Sequence, residues 1–203
     1  AQLLNAEELE VYNAGGWVDW IDEVSQNAQI QNYNLSISGN ASDKVNYYLS
    51  AGYMKQDGLI VGDDYKKLTF MAKMDAKVTE WLTVGMRASY YNASNPGQIA
   101  NIQSATWLSP YSHKYVRYDG YTDWYERYAN GNVASPFWSS SETTSYLWTD
   151  RDKKYDNLNG TGFVQIDFPF VKGLSYKFTM NAVKNTSNID MFVNPQYFLD
   201  TRK

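Results

Sequence analysis

The chain has 203 residues, no cysteine, a single histidine, 16% aromatic residues and a net charge of −4. That composition excludes a disulfide framework, thiolate catalysis and a metal centre built on several histidines, and without a basic stripe no nucleic-acid partner is expected. No apolar run reaches the ~18 residues of a membrane-crossing helix, but the mean hydropathy of −0.55 leaves room for a β-barrel, where only alternate residues meet lipid.

In chain order, Asn5 stands before Ala6-Glu7-Glu8-Leu9-Glu10-Val11-Tyr12 as a cap with acids in the first turn, which predicts a short helix closed by Gly15-Gly16. Trp17 to Val24 predicts a second helical turn. From Asn32 the apolar period becomes two, the signature of half-buried strands. The first strand sets Tyr33, Leu35 and Ile37 against Asn34, Ser36 and Ser38. The second sets Val45, Tyr47, Leu49, Ala51 and Tyr53 against Asn46, Tyr48, Ser50 and Gly52. The third opposes Leu68, Phe70, Ala72, Met74, Ala76 and Val78 to Lys67, Thr69, Lys73, Asp75 and Lys77, with Met71 as the exception. The fourth opposes Leu82, Val84, Met86, Ala88 and Tyr90 to Thr83, Gly85, Arg87 and Ser89. After a long connection, the fifth opposes Leu158, Val164, Ile166 and Phe168 to Asn159, Thr161, Gln165 and Asp167. The sixth opposes Leu174, Tyr176, Phe178, Met180 and Ala182 to Ser175, Lys177, Thr179 and Asn181.

The connections alternate in length. Those after the first, third and fifth strands are tight, at 40–43, 79–80 and 170–173. The one after the second spans 56–64, and the one after the fourth runs from 93 to 156. In an up-and-down sheet alternate connections share an end, so tight turns gather at one end and long loops at the other, as in outer-membrane barrels. Strands of ten to twelve residues are about 35 Å long and, tilted by roughly 45°, cross an apolar band about 25 Å tall. Trp81, Phe168, Phe170 and Tyr176 lie near the tight-turn end, and Tyr53, Tyr65, Tyr90 and Tyr91 near the other. Two such girdles suit a bilayer-crossing sheet, although rings are enriched in any strand.

The 93–156 connection is too rich in rings to be disordered, so it is expected to fold onto the barrel lumen, a partner or its own subdomain. Its aromatic faces can stack on sugars or contact peptides, which makes Trp107, Tyr111, Tyr115, Tyr118, Trp124, Tyr125 and Trp138 the candidate substrate-binding residues. Packing of the loop against the wall accounts for any one of them equally well. No catalytic constellation is present. His113 stands alone in a loop, and the acid pairs Asp22-Glu23 and Asp63-Asp64 lack the spacing of a calcium loop. No enzyme activity, metal or cofactor is expected. Arg87 and Lys73 are expected to face a lumen, since a charge at the lipid face costs about 2–4 kcal/mol at mid-bilayer.

Several stretches resemble the SusC/RagA-like TonB-dependent outer-membrane transporters of Bacteroidetes. Gln31-Asn32-Tyr33-Asn34-Leu35-Ser36-Ile37-Ser38-Gly39 leads to Tyr47-Tyr48-Leu49-Ser50-Ala51-Gly52-Tyr53, then Gln56-Asp57-Gly58-Leu59-Ile60 and Asp64-Tyr65-Lys66-Lys67. Trp17 to Val24, Val78-Thr79-Glu80-Trp81-Leu82-Thr83-Val84-Gly85, Ser109-Pro110 and Tyr118-Asp119-Gly120-Tyr121 are similar to further family segments. Asn40 departs from a second Gly frequent there, and 122–156 matches weakly. The resemblance implies a large plugged barrel of which this chain is an internal piece. It also implies uptake of an oligosaccharide or peptide, a SusD-like surface lipoprotein as lid, and a TonB complex acting on a plug not in this chain. The opening Ala1-Gln2-Leu3-Leu4 does not read as a basic-then-apolar leader, so a mature or internal portion is expected, and six strands cannot close a barrel.

The expected fold is therefore all-β, a partial segment of an antiparallel up-and-down transmembrane β-barrel in the bacterial outer membrane. Its parts are an extracellular loop with helical turns (1–31), four wall strands (32–92), the aromatic loop (93–156), two more wall strands (157–187) and the start of another loop (188–203). Outer-membrane lipid is then a partner. The competing expectation is a soluble secreted β-sandwich that binds carbohydrate through its rings, since sandwich strands also alternate dry and wet faces.

Overall fold

In the computed structural model, residues 4–95, 97, 99–112, 115–118, 121–125, 135–137 and 149–193 are described, with the backbone alone at 115–118, 121–125 and 149. Asn5 caps α1 (Ala6–Asn13). Its side chain accepts the Glu8 N–H at 2.8 Å, and the Glu8 carboxylate accepts the Asn5 N–H at 3.0 Å, a reciprocal capping box. The second helix, α2, is shorter than expected at Trp20–Val24. Asp19 accepts the N–H groups of Ile21 and Asp22, so the chain turns helical only there.

Six strands follow in one antiparallel sheet: β1 (Gln29–Ser42), β2 (Val45–Asp57), β3 (Asp64–Lys77), β4 (Leu82–Ser94), β7 (Thr149–Asp167) and β8 (Ser175–Val193). Their order is β1-β2-β3-β4-β7-β8, each beside its sequence neighbour, and the sheet does not close. Between β4 and β7 lie α3 (Ile102–Trp107) and a two-stranded ribbon of β5 (Tyr115–Tyr118) and β6 (Tyr121–Tyr125). The expected contrast in connection length is narrower than the sequence suggested. The β2–β3 loop is six residues, 58–63, because β2 continues to Asp57, and the β7–β8 turn occupies 168–174. Within that turn Phe168 N–H still donates to the Leu174 carbonyl. The 95–148 connection alone carries the asymmetry.

Cross-strand partners share a face, so the register fixes rows of side chains. On one face Tyr33, Tyr53 and Leu68 form a row, and below it come Leu35, Ala51, Phe70, Tyr90 and Leu158. The next row is Ile37, Leu49, Ala72, Ala88, Gly160 and Ala182, followed by Tyr47, Met74, Met86, Gly162 and Met180. Leu35 is 76% exposed and Met180 66%, and no described element covers this face. Above it the face turns polar in steps. The first polar residues are Gln31 on β1, Lys55 on β2 and Lys66 on β3, but already Asn92 on β4, Asp156 on β7 and Lys184, one row lower still, on β8.

From Leu158 to Phe168 the apolar stretch of β7 is about 33 Å long, enough at a barrel's tilt for a band of about 25 Å. Tyr33, Tyr53 and Tyr90 stand on this outer face near its upper edge. Tyr65 and Tyr91, expected in the same girdle, fall at odd positions of β3 and β4 and belong to the opposite, inner face. At the other end Phe168 packs on Phe170 with centroids 5.7 Å apart.

Candidate functional site

Among the described residues the hydrophobic core lies not on the sheet but at its loop end. Trp20 and Val24 of α2 pack with Ala100, Ala105 and Leu108 around α3 and with Phe137, and Val18, Ile60 and Val61 pack against them. Fully burying such a side chain stabilises by about 1.5–3 kcal/mol. Backbone bonds join the same pieces. Val18 N–H donates to the Pro110 carbonyl, Val61 N–H to Val24, Ala100 N–H to Val61 and Asn101 N–H to Pro136. The Trp20 indole Nε1 donates to the Ser109 carbonyl at 3.0 Å, and the Gln26 amide reaches the Gly58 and Ile60 carbonyls. Four segments, 18–24, 60–61, 100–110 and 136–137, thus form one packed cap, in which the described parts of the aromatic connection pack on α2 and the β2–β3 loop.

Trp107 ends α3 and is 66% exposed at the cap surface. Tyr111 sits in the turn beyond it, its ring meeting Tyr12 of α1 edge-on at 5.3 Å. Tyr115 and Tyr118 lie on β5, and Trp124 and Tyr125 on β6, with Tyr115 opposite Tyr125 and Val116 opposite Trp124. Trp138 and His113 lie outside the described residues. The ribbon brings four of the candidate positions into one hairpin, and the cap holds two more.

The inner face of the sheet is a second surface that the sequence only partly disclosed. Lys67, Lys73 and Lys77 on β3, Arg87 on β4, Arg151 and Lys153 on β7 and Lys177 on β8 all occupy it. Along the described strands of this face the only carboxylates are Asp75 and Asp167. Lys73 pairs with Asp75 at 2.7 Å. Three other lysines rest on rings: Lys67 over Tyr91 at 4.9 Å, Lys153 over Tyr155 at 4.9 Å and Lys177 over Phe163 at 4.1 Å. Each such contact stabilises by about 0.5–1 kcal/mol at an exposed site and leaves the positive charge unneutralised. Lys73, Asp75, Thr83, Arg87, Thr161, Phe163, Gln165 and Lys177 line an open hollow of about 400 Å³ on this wall. Phe163 escaped the alternation because it is an aromatic in a wet position. Its clue is Gly85, directly opposite. No group of acids and histidines that could hold a metal ion occurs among the described residues.

The polar rim above the outer apolar face is built differently, with two of its lysines paired to carboxylates. Lys55 meets Asp57 at 2.9 Å and Lys154 meets Asp152 at 2.8 Å. Hydrogen bonds from Lys154, then Ser94, hold the Asp152 carboxyl below its ordinary range, and the same contact raises Lys154. Both lie on the part of β7 that stands beyond the apolar band.

No family model matches the chain. It is similar to TonB-dependent receptor P3 of Formosa agariphila, 30% identical over 93 residues that make up 41% of this chain and 9% of that relative. TonB-dependent receptor P39 of the same organism is 24% identical over 187 residues, 88% of this chain and 16% of its own length. Among solved structures, that of the RagAB peptide transporter aligns with a TM-score of 0.54 and 22% identity, over 87% of this chain and 20% of the other. That is a likeness of fold. The chain spans only a small part of the length of the curated relatives it matches, 9% of one, 7% of a second and 16% of a third. Sequence relatives and sheet geometry converge: the chain is similar to TonB-dependent receptors, and its six antiparallel strands have the fold of a stretch of transporter barrel wall.

Proposed function

We propose that this chain forms wall and mouth of an outer-membrane transporter that takes up an oligosaccharide or peptide, with a SusD-like lipoprotein as lid and energy from a TonB complex acting on a plug outside these residues. The observation that carries the proposal is the bare apolar face. Six strands of 13 to 19 residues, against about five or six in soluble sheets, expose rows of Leu, Ile, Phe and Met far larger than the few hundred Å² tolerated in water. Lipid is the solvent that such a face fits. The 43–44, 78–81 and 168–174 turns are then periplasmic, while residues 1–31, 93–156 and 188–203 belong to the extracellular side.

The mechanism is gating. Ligand meets the ring-bearing cap, where Trp107, Tyr111 and the Tyr115, Tyr118, Trp124 and Tyr125 hairpin are the proposed contacts together with Trp138, and then passes along the inner wall when the plug moves. Both cargo classes stay in the proposal, since the neighbour named for peptides shares fold alone. Single cysteines at Leu49 and Val84, labelled in the full-length protein, test the membrane placement. Quenching by bilayer-depth probes is expected. Unquenched labels on a protein soluble without detergent would instead favour the secreted sandwich.

A further inference from the structure

We propose that the inner wall is built to accept an anionic solute, one that carries carboxylates. This rests on the transport reading above and names the class of cargo. The whole chain is acidic, at −4, yet the described strands of the inner face carry seven cationic side chains against two carboxylates. The excess is not scattered by accident of composition, because the outer rim of the same strands carries an acidic balance and ties Lys55 and Lys154 to aspartates.

The way the inner cations are held matters as much as their number. A lysine paired with a carboxylate presents little field to a passing solute. Lys67, Lys153 and Lys177 are oriented by ring faces instead, so they are positioned and remain charged. Arg87 is exposed in the midst of the hollow, one strand from Lys73 and opposite Thr161 on the other side. Its guanidinium fork matches a carboxylate in a bidentate way. Walls lined with arginine and lysine select anions in pores, and a cleft with low-dielectric walls concentrates the field and raises the local concentration of opposite charge.

Carboxylates reach such a wall on two kinds of cargo, an acidic peptide or a uronic-acid oligosaccharide. The chemistry at the wall is the same for both, and the experiment separates them. In the full-length transporter, freed of other cysteines, Thr161→Cys places a thiol beside Arg87. Its reaction rates with a sulfonate-bearing and a trimethylammonium-bearing methanethiosulfonate are compared after normalisation to a free thiol. The anionic reagent is expected to be favoured at least about fivefold at low salt, where charges act over ~30 Å, and the preference should fall towards one at ~1 M, where they act over ~3 Å. Arg87→Gln with Lys177→Gln should reduce it likewise.

Oligoglutamate and oligogalacturonate are then the binding probes. At least one should bind the full-length protein, losing about tenfold in affinity in Arg87→Glu with Lys177→Glu. A reagent preference of one or below, equal binding of the uncharged oligomers, or no binding by either acidic probe would overturn the proposal. So would a thiol that neither reagent reaches because an acidic segment of the same protein covers it. A thiol that only a lipid-phase quencher reaches would instead sink the barrel reading beneath it.

Discussion

Phe163 lies over Gly85. The two residues face each other across the β4–β7 ladder, and a Cβ added to Gly85 would stand 2.2 Å from the Phe163 ring and 2.6 Å from the Asp75 carboxylate. The glycine leaves the space that ring and acid fill together, and the Lys177 ammonium lies over the same ring.

Gly85→Ala should therefore destabilise by about 1–3 kcal/mol, the cost of overpacking a filled site. In a Phe163→Ala background the same substitution should cost much less, since the clash is gone. A double-mutant cycle on the refolded full-length barrel, read by equilibrium unfolding in denaturant, measures the coupling. Additive effects would mean that the ring does not depend on the glycine.

Ala88 and Ser89 are neighbours on β4 that face opposite ways, Ala88 amid the apolar rows and Ser89 on the inner wall. Ala88→Arg should cost about 2–4 kcal/mol in vesicle refolding, and Ser89→Arg close to nothing. Equal costs would contradict the facing of the whole sheet.

Trp20 ties α2 to the turn after α3. Trp20→Ala should loosen the cap by about 3–5 kcal/mol, and Trp20→Phe, which loses chiefly the Nε1 bond to Ser109, by about 0.5–1.5 kcal/mol. The effect is local, so faster proteolysis of the 93–156 connection with unchanged barrel unfolding is the expected result. Hydrogen exchange at Val61 and Ala100, whose N–H groups bond within the cap, checks it independently.

Asp152 supplies a pH dependence. Lys154 and Ser94 lower its pKa in the folded state, so its contribution is present above the ordinary carboxylate value of about 3.9 and disappears as pH falls through the lower folded value. The side chain is 41% exposed, so solvent screens the pair and the effect is small. Asp152→Asn should flatten the acid limb of the stability curve and leave neutral stability nearly unchanged.

Much of the sheet was legible because one face is dry. Wherever apolar and polar residues alternate, as in the third strand, period two marks both the strand and its facing. The signal fails where both faces are wet. From Asp150 to Asp156 every residue but Tyr155 is charged, so β7 reads as loop although it is paired from Thr149. Phe163 is hidden for the opposite reason, since its alternation is broken by a partner that only pairing reveals. The cap depends on contacts such as Trp20 with Ser109, 89 residues apart, which no local pattern encodes. The inner charge excess is likewise distributed over four strands. Lys73 and Arg87 were readable as lumen-facing, but the balance around them emerges only from register.

The stepped boundary on the outer face acts as a level for the molecule. Between β1 and β8 the first polar residue drops two rows, from Gln31 to Lys184. With about 3.3 Å per residue and about 4.8 Å between strands, that is a slope of roughly 30°, near the ~35–45° lean of barrel strands. A horizontal bilayer surface therefore cuts the hydrogen-bonded rows obliquely, and Thr186 rides about 12 Å higher than Tyr33 in the same row by that slope. The longest hairpin, β7–β8, projects beyond the membrane on its side alone. The upper edge of the sheet is therefore lopsided, tall at β7–β8 and low at β1, and the cap, joined to β1 through α2 and to the β2–β3 loop, stands over the low side.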